Sequence, residues 1–245
     1  LGASKNKKMA LLPLNKQILS LLIDPDKVDV KEIETLCKKA EYCGFDLFLV
    51  GGSLVYNETD ELIKKIKSYS SLPVYIFPGN AIQLSNSADG ILFLSLVSGR
   101  NPEYLIGQQV IAAPLLKKTS LDVVSVAYML IESGNTTSVE YMSNTKPIPS
   151  DKMDIIVATS IASEYLGFKM IYLEAGSGAQ KSISSELISK VVQNVTIPVI
   201  VGGGIRNATT AQNCFDAGAS MIVVGTAVEN NIEIMESFKY IRKNK

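Results

Sequence analysis

The chain alternates short, almost continuously apolar runs with stretches in which apolar residues recur at helical spacing. Runs without polar alternation are typical of parallel strands whose outer face is covered by helices. In the first helical stretch, Ile33, Leu36, Cys37 and Ala40 share one face. Eight strands are predicted, at Ile18–Ile23, Leu47–Val50, Val74–Phe77, Gly90–Leu94, Val123–Ile131, Met170–Leu173, Pro198–Val201 and Met221–Val224.

Eight strand–helix units in 245 residues predict an α/β fold, a (β/α)8 TIM barrel that leaves room for a modified helix layer. Because no linker rich in proline, glycine or serine interrupts the pattern, residues 1–245 are expected to form one domain. Residues 1–10 are expected to be a poorly ordered leader or an expression remnant. The longest polar connection, Ser133–Ser150, receives no structural assignment from its sequence.

Local signals predict where several helices begin. Asp29 followed by Glu32 resembles a capping box. Asn101-Pro102 combines an N-cap residue with proline at the first helical position. Asn207 is expected to cap the helix after the glycine run 202–204, and residues 154–166 read as a long helix.

The composition excludes several classes of function. Lys+Arg and Asp+Glu are both 24, so no basic surface predicts nucleic-acid binding or membrane attraction. No apolar run approaches the roughly 20 residues of a transmembrane helix, and no signal peptide is evident. Histidine is absent, which excludes imidazole bases and His-ligated zinc. Three cysteines without a CxxC motif fit a reducing compartment, so a cytoplasmic protein is expected.

The most specific chemical signal is a pair of glycine-rich turns after the last two strands. Gly202–Gly204 follows the seventh strand, and Gly225-Thr226 follows the eighth. Glycine permits close backbone approach, so successive N–H groups can converge on a phosphate. In a barrel, the loops after strands seven and eight are the usual phosphate site. The alternative is that these glycines only make tight turns.

A carboxylate follows the sixth strand, beside this predicted phosphate site. Glu174 stands at the strand end, and Gly176 and Gly178 let the following loop lie against a small ligand. Such a carboxylate can orient a hydroxyl group and accept its proton. The alternative is a structural glutamate that anchors the loop.

Oxygen ligands are predicted at the first two strand ends. Asp24 follows the first strand, and Ser53 follows the second after Gly51-Gly52. Oxygen ligands suit Mg²⁺, which keeps several waters and binds phosphate oxygens. Taken singly, each residue also fits a turn or a helix start.

Apolar residues around strands three and four are candidates for an apolar channel. They are Ile76, Phe77, Leu92, Leu94, Leu96 and Val97. Ordinary barrel packing is the alternative for most of them.

Together these residues resemble the geranylgeranylglyceryl phosphate synthase family, which includes heptaprenylglyceryl members. The resemblance rests on motifs that occur in order over residues 18–230. They are Ile23–Lys27, Gly51–Ser53, Phe77–Asn80, Ala88–Leu96, Asn101-Pro102, Ile106-Gly107, Tyr172–Gly178, Gly202–Ile205 and Gly225-Thr226. The Asp24–Lys27 form is closer to the geranylgeranyl-using group with larger assemblies.

The resemblance implies a Mg²⁺-dependent prenyltransferase that joins a long prenyl diphosphate, most simply geranylgeranyl diphosphate, to sn-glycerol 1-phosphate. It implies a homo-oligomer, dimer or hexamer, and places the metal on Asp24 and Ser53. The candidate catalytic residues are Glu174 and Tyr172. The implied glycerol 1-phosphate site comprises Tyr172, Leu173, Glu174, Ala175, Gly176, Ser177, Gly178, Gly203, Gly204, Gly225 and Thr226.

Two other functions stay open from the residues alone. One is a phosphate-binding TIM-barrel isomerase of amino-acid biosynthesis, which would need two carboxylates placed as acid and base. The other is a non-catalytic phosphate- or lipid-binding barrel.

Overall fold

Eight parallel strands close into a barrel in chain order in the computed structural model, which describes Leu12, residues 16–81 and residues 83–241. The last strand pairs with the first through Met221 and Ile18. The predicted TIM barrel is therefore confirmed. The strands are β1 (Ile18–Ile23), β2 (Leu47–Val50), β3 (Val74–Ile76), β4 (Gly90–Leu96), β5 (Asp122–Leu130), β6 (Met170–Glu174), β7 (Val199–Gly202) and β8 (Met221–Val224).

The helix layer is modified, because residues 77–81 and 83–89 between β3 and β4 form no helix. A π-helical turn at Glu103–Gly107 precedes the third helix, and a 3-10 turn at Ile232–Ile234 precedes the last. The α-helices are α1 (Ile33–Tyr42), α2 (Thr59–Tyr69), α3 (Gln108–Leu116), α4 (Ser138–Ser143), α5 (Met153–Tyr165), α6 (Ser185–Val192), α7 (Ala208–Asp216), α8 (Thr226–Asn230) and α9 (Met235–Phe238).

Strand predictions differ from the structure only near the ends. β7 begins one residue after Pro198, whose nitrogen carries no hydrogen to donate to a ladder. β4 continues two residues beyond the predicted end at Leu94, because Leu96 still pairs with Tyr128 of β5. β1, β2 and β8 have the predicted bounds.

Of the three predicted helix starts, the structure agrees with those at Asn207 and Asn101 but not with the one at Asp29. Asn207 caps α7 as predicted, since its side chain accepts a 2.8 Å hydrogen bond from the N–H of Thr210. Asn101 accepts a bond from the N–H of Glu103 at 3.1 Å. The capping box at Asp29 and Glu32 was wrong: Asp29 closes a turn by accepting from Lys31, and α1 begins only after Glu32.

Apolar side chains form two layers, one inside the barrel and one between the strands and the helices. Side chains such as Leu49, Leu92 and Ile200 fill the barrel, and a larger cluster packs the outer strand faces against the helices. All three cysteines are buried and free. Because all eight strands are parallel, the residues that follow them gather at the carboxyl end of the barrel.

The polar connection between β5 and α5 contributes a short helix to this end. Thr137 caps α4 by accepting from the N–H of Glu140 at 3.3 Å. Farther along, Ile148 forms a parallel bridge with Ile131. The bridge lies directly after β5, and α4 lines the cavities at the carboxyl end of the barrel.

The predicted leader, residues 1–10, lies outside the described residues. Among the residues that are described, no helix has both the length and the hydrophobicity needed to cross a bilayer.

Candidate active site

A polar cavity opens at the carboxyl end of the barrel. It is bounded by loops that follow β1, β2, β6, β7 and β8, and by α4. The polar and glycine residues on its wall include Asp24, Lys27, Ser53, Tyr128, Tyr172, Glu174, Gly176, Ser177, Gly178, Gly203, Gly204, Arg206, Gly225, Thr226 and Glu229.

The glycine turn after β7 passes directly against the sixth strand end. Gly203 has φ of 80°, a left-handed conformation that favours glycine. A Cβ at this position would lie 2.6 Å from Oε1 of Glu174 and 2.6 Å from the nitrogen of Gly176. Only glycine therefore lets the β7 turn approach the carboxylate so closely.

The turn after β8 and the loop after β6 meet across the cavity. α8 begins at Thr226 immediately after Gly225, so the first amides of this helix have no partner within the helix. The hydroxyls of Ser177 and Thr226 lie 3.3 Å apart. Backbone donors and hydroxyls from three loops thus converge on one space that suits a phosphate.

Glu174 is buried at the base of this cavity, with 6% of its surface exposed. Burial raises the pKa of its carboxyl, because water cannot solvate the charge. Three hydrogen bonds oppose this effect: one from the N–H of Gly176 at 2.6 Å, and one each from the hydroxyls of Tyr172 and Tyr128. The Glu174 carboxylate is therefore fixed in place by hydrogen bonds, and its pKa is still raised by burial.

Burial also raises the pKa of both tyrosine hydroxyls, and the charge of Glu174 adds to that effect. Both hydroxyls therefore stay protonated and act as donors to the carboxylate.

A cluster of charges occupies the side of the cavity near β1. Asp24 forms a 3.1 Å ion pair with Lys27 and accepts a 3.0 Å bond from the N–H of Asp26. Lys27 also pairs with Glu229 at 3.4 Å. Partial burial disfavours the Lys27 ammonium, but the carboxylates of Glu229 and Asp24 outweigh it and raise its pKa.

The loop after β2 lies over Asp24. A Cβ at Gly52 would be 3.1 Å from Oδ2 of Asp24, so the absence of a side chain allows this approach. Asp26 holds the same loop, since its carboxylate accepts from the N–H groups of Tyr56 and Asn57, both at 2.9 Å. Asp24 and Ser53 are thereby brought to one wall, as the sequence predicted.

Next to the polar cavity lies an apolar one, between β3, β4, α3 and α4. Its wall includes Phe77, Leu94 and Leu96, as predicted. Three other predicted lining residues were wrong: Leu92 fills the barrel interior, and Ile76 and Val97 pack toward the helices. Residues not anticipated there include Ala81, Leu84, Ile91, Phe93, Tyr104, Gln108, Gln109, Ala112, Val139 and Met142.

The two cavities share part of their walls. The shared residues are Gly52, Ser53, Phe77, Tyr128 and Val139. At this junction the rings of Phe77, Tyr128 and Tyr172 contact one another, with centroids 5.2–6.1 Å apart. A molecule with an apolar tail and an anionic head could occupy both cavities at once.

Most predicted site residues line the polar cavity, with two exceptions. Leu173 and Ala175 are buried in the layer between barrel and helices, so contact with a ligand in the cavity would involve their backbone. Tyr128 was missed because it stands in an apolar strand. A signal existed, since barrel pairing sets Tyr128 directly beside Tyr172.

The arrangement combines backbone amides that could bind an anion, a buried carboxylate and an adjacent apolar cavity. Comparison with known proteins is consistent with this chemistry. The model of the PcrB family matches residues 14–243.

Curated relatives and a solved structure cover nearly the whole chain. Geranylgeranylglyceryl phosphate synthase of Chitinophaga pinensis is 48% identical over 218 residues, 89% of this chain and 86% of that protein. Its counterpart in Flavobacterium johnsoniae is 48% identical over 223 residues, 91% and 92% of the two chains. The crystal structure of (S)-3-O-geranylgeranylglyceryl phosphate synthase from Thermoplasma acidophilum, in complex with its substrate sn-glycerol-1-phosphate, is 35% identical with a TM-score of 0.87, covering 93% of this chain and 92% of that one.

Proposed function

The chain belongs to the PcrB family, and from this premise we propose that it is a prenyltransferase acting on sn-glycerol 1-phosphate. It joins this substrate through an ether bond to a long prenyl diphosphate, geranylgeranyl diphosphate, and releases diphosphate. The observation that carries the proposal is the junction of a phosphate-type cavity with an apolar one. The substrate of a sugar-phosphate isomerase has no long apolar group that would occupy the apolar cavity.

Glycerol 1-phosphate occupies the polar cavity in this proposal. Its phosphate lies against the backbone around Gly203, Gly204, Gly225 and Thr226, where glycines admit close approach. Its hydroxyl groups reach Glu174 and the loop with Ser177. The remaining implied contacts, to Leu173 and Ala175, are made through the backbone.

The prenyl tail occupies the apolar cavity, and its diphosphate points back to the charged wall near Asp24. Burial of each CH₂ contributes roughly 0.8 kcal/mol, so the tail supplies much of the binding free energy. Fixing both substrates at one junction replaces an encounter in solution with an oriented reaction.

Glu174 is the base in this proposal, with Tyr172 as a donor that holds it. As the diphosphate departs, the oxygen of the C3 hydroxyl forms a bond to the allylic carbon, and Glu174 accepts the hydroxyl proton. A raised pKa suits this role, because a base works best when its pKa lies close to the pH of the reaction.

Mg²⁺ fits the oxygen donors on the charged wall. The described residues contain no cluster of three or more His, Cys, Asp or Glu side chains that could hold a metal unaided. One carboxylate and one hydroxyl, from Asp24 and Ser53, suit an ion that keeps waters and takes phosphate oxygens. When bound, Mg²⁺ supplies charge neutralisation for the departing diphosphate.

Asp24→Asn tests the metal assignment. Loss of the carboxylate charge should move the Mg²⁺ midpoint of the reaction upward by about tenfold, a typical effect of losing a charged ligand. A Mg²⁺ titration of the variant measures this, with Asp29→Asn on the nearby exposed turn as control. An unchanged midpoint in Asp24→Asn contradicts the assignment.

An assay with radiolabelled glycerol 1-phosphate tests the proposed function. With geranylgeranyl diphosphate and Mg²⁺, the label should pass into an organic-soluble product, whereas sn-glycerol 3-phosphate should react far less. No product with diphosphates of several chain lengths would support a non-catalytic barrel instead.

We also propose a homo-oligomer, dimer or hexamer, that acts in the cytoplasm. Support for self-association comes from aliphatic side chains on and before α3, where Ile106, Val110 and Ile111 are 55–62% exposed. Support for a reducing compartment comes from the three buried, unpaired cysteines. Light scattering coupled to size exclusion measures the assembly; a monomer at micromolar concentration contradicts it.

A further inference from the structure

Tyr128 stands where the two cavities meet. Its side chain lines both of them, and its hydroxyl bonds to Glu174. Among the five shared wall residues, it is the one with a hydrogen bond to that carboxylate. Tyr128 therefore links the apolar cavity to the group that we propose as the base.

The ring of Tyr128 is firmly held. Only 5% of the residue is exposed. Its ring packs edge-on against Tyr172, with centroids 5.2 Å apart, and at a tilt against Phe77, with centroids 6.1 Å apart. In the β5–β6 ladder, Tyr128 pairs with Tyr172, and Leu130 pairs with Glu174. The packed ring thus has little room to move, and its hydroxyl bonds to the Glu174 carboxylate.

The carboxylate of Glu174 is held from two strands. Tyr172 and the N–H of Gly176 belong to its own strand and the loop that follows it, whereas Tyr128 belongs to β5. Without Tyr128, every hydrogen bond of the carboxylate that the structure gives would come from residues 172–176. The β5 contact fixes Glu174 relative to the apolar cavity rather than only to its own loop.

We propose that the carbon–oxygen bond forms at this junction and that Tyr128 is a positioning residue that holds the Glu174 carboxylate there. The inference rests on the proposed function and deepens it. A lone pair of the C3 hydroxyl oxygen forms the bond to C1 of the prenyl group. The C1–O bond to diphosphate breaks, its electron pair leaves with diphosphate, and the hydroxyl proton passes to Glu174. The three aromatic rings exclude water, which would otherwise compete as nucleophile.

Tyr128→Phe tests this role, because it keeps the ring and removes the hydroxyl. Tyr75→Phe is the matched control, since Tyr75 is equally buried in the barrel but donates to Asp122 at 2.7 Å, outside both cavities. Tyr128→Phe should lower kcat about 10- to 100-fold, the usual cost of losing a hydrogen bond to a charged group. The KM for prenyl diphosphate should change less than about twofold, because the ring remains. Tyr75→Phe should retain wild-type kinetics.

The pH profile separates positioning from a structural role. The ionisable groups that act on Glu174 are Tyr172 and Tyr128. Removing one donor destabilises the ionised carboxylate, so the acid limb of kcat/KM should move to higher pH in Tyr128→Phe. Site-specific 3-fluorotyrosine at position 128 keeps the hydroxyl and makes it a stronger donor, so the limb should move to lower pH.

A double-variant cycle completes the test. If Tyr128 acts through Glu174, adding Tyr128→Phe to Glu174→Gln should lower kcat by less than about twofold. A full 10- to 100-fold further loss overturns the proposal, as does an acid limb that moves in neither position-128 variant. If Tyr128→Phe fails to fold by circular dichroism, the fluorotyrosine protein alone decides. Absence of product from the wild-type protein instead contradicts the proposed function itself.

Discussion

The two cavities at the carboxyl end of the barrel are built on different principles. The polar cavity depends on backbone amides, glycine turns and one buried carboxylate, so each of its parts has a fixed place. The apolar cavity depends on the bulk of side chains from β3, β4, α3 and α4. Single changes should therefore have large effects in the first cavity and graded effects in the second.

Glu174→Gln should produce the largest effect. The variant keeps the shape but cannot accept the hydroxyl proton, so kcat should fall about 10²- to 10⁴-fold, the usual contribution of a general base. Steady-state kinetics measure the loss, with the melting temperature as a check on folding. Near-normal turnover would remove Glu174 from the mechanism.

Gly203→Ala should be the next largest. Its Cβ would meet Oε1 of Glu174 and the nitrogen of Gly176. The KM for glycerol 1-phosphate should rise about 10- to 100-fold, since moving the groups that contact a substrate by about 1 Å can have an effect of that size.

Gly167→Ala is the matched control for this change. Gly167 has φ of 90°, also left-handed, but a Cβ there has open space. Both variants should lose about 1 kcal/mol of stability from backbone strain. Only Gly203→Ala should affect binding; equal KM values in the two variants would show that the turn does not shape the site.

Ala112→Leu tests the apolar cavity. Ala112 of α3 lines this cavity, and a larger side chain takes space from the tail. The rate with a twenty-carbon diphosphate should fall about five- to tenfold relative to that with a ten-carbon one, since one or two displaced CH₂ groups cost roughly 0.8 kcal/mol each. Ala113→Leu, on the exposed side of α3, adds the same side chain outside the cavity and should leave the ratio of the two rates unchanged. If the ratio of the twenty-carbon to the ten-carbon rate is the same in both variants, the tail does not bind in this cavity.

The smallest effect concerns pH. Burial raises the Glu174 pKa, and the base must be ionised, so kcat/KM should fall as pH drops through a midpoint above the ordinary glutamate value of about 4.3. The phosphate monoester substrate titrates near pH 6, so the limb due to Glu174 is the one that Glu174→Gln abolishes. A limb common to both proteins belongs to the substrate.

The same contrast explains what could be predicted from the sequence. Glycines and carboxylates directly after strands are rare signals, so Gly203, Gly225 and Glu174 could be assigned to one site before the fold was known. The strands could be bounded because polar residues flank apolar runs, as at Ile18–Ile23. The capping box failed because Asp29 and Glu32 lie one turn too early along the chain.

The apolar cavity and Tyr128 could not be predicted in this way. Lining residues such as Leu94 have the same chemistry as core residues such as Leu92, and only the direction of each side chain separates them. Tyr128 gains its role from the adjacent strand, through a hydroxyl bond that no local pattern encodes.

The most direct test is a crystal structure with bound sn-glycerol 1-phosphate. The account predicts phosphate oxygens within about 3 Å of the amides that follow β7 and β8, and the C3 hydroxyl within hydrogen-bond reach of Glu174 on the side facing Tyr128. A phosphate bound away from both glycine turns, or a C3 hydroxyl turned away from Glu174, would contradict it.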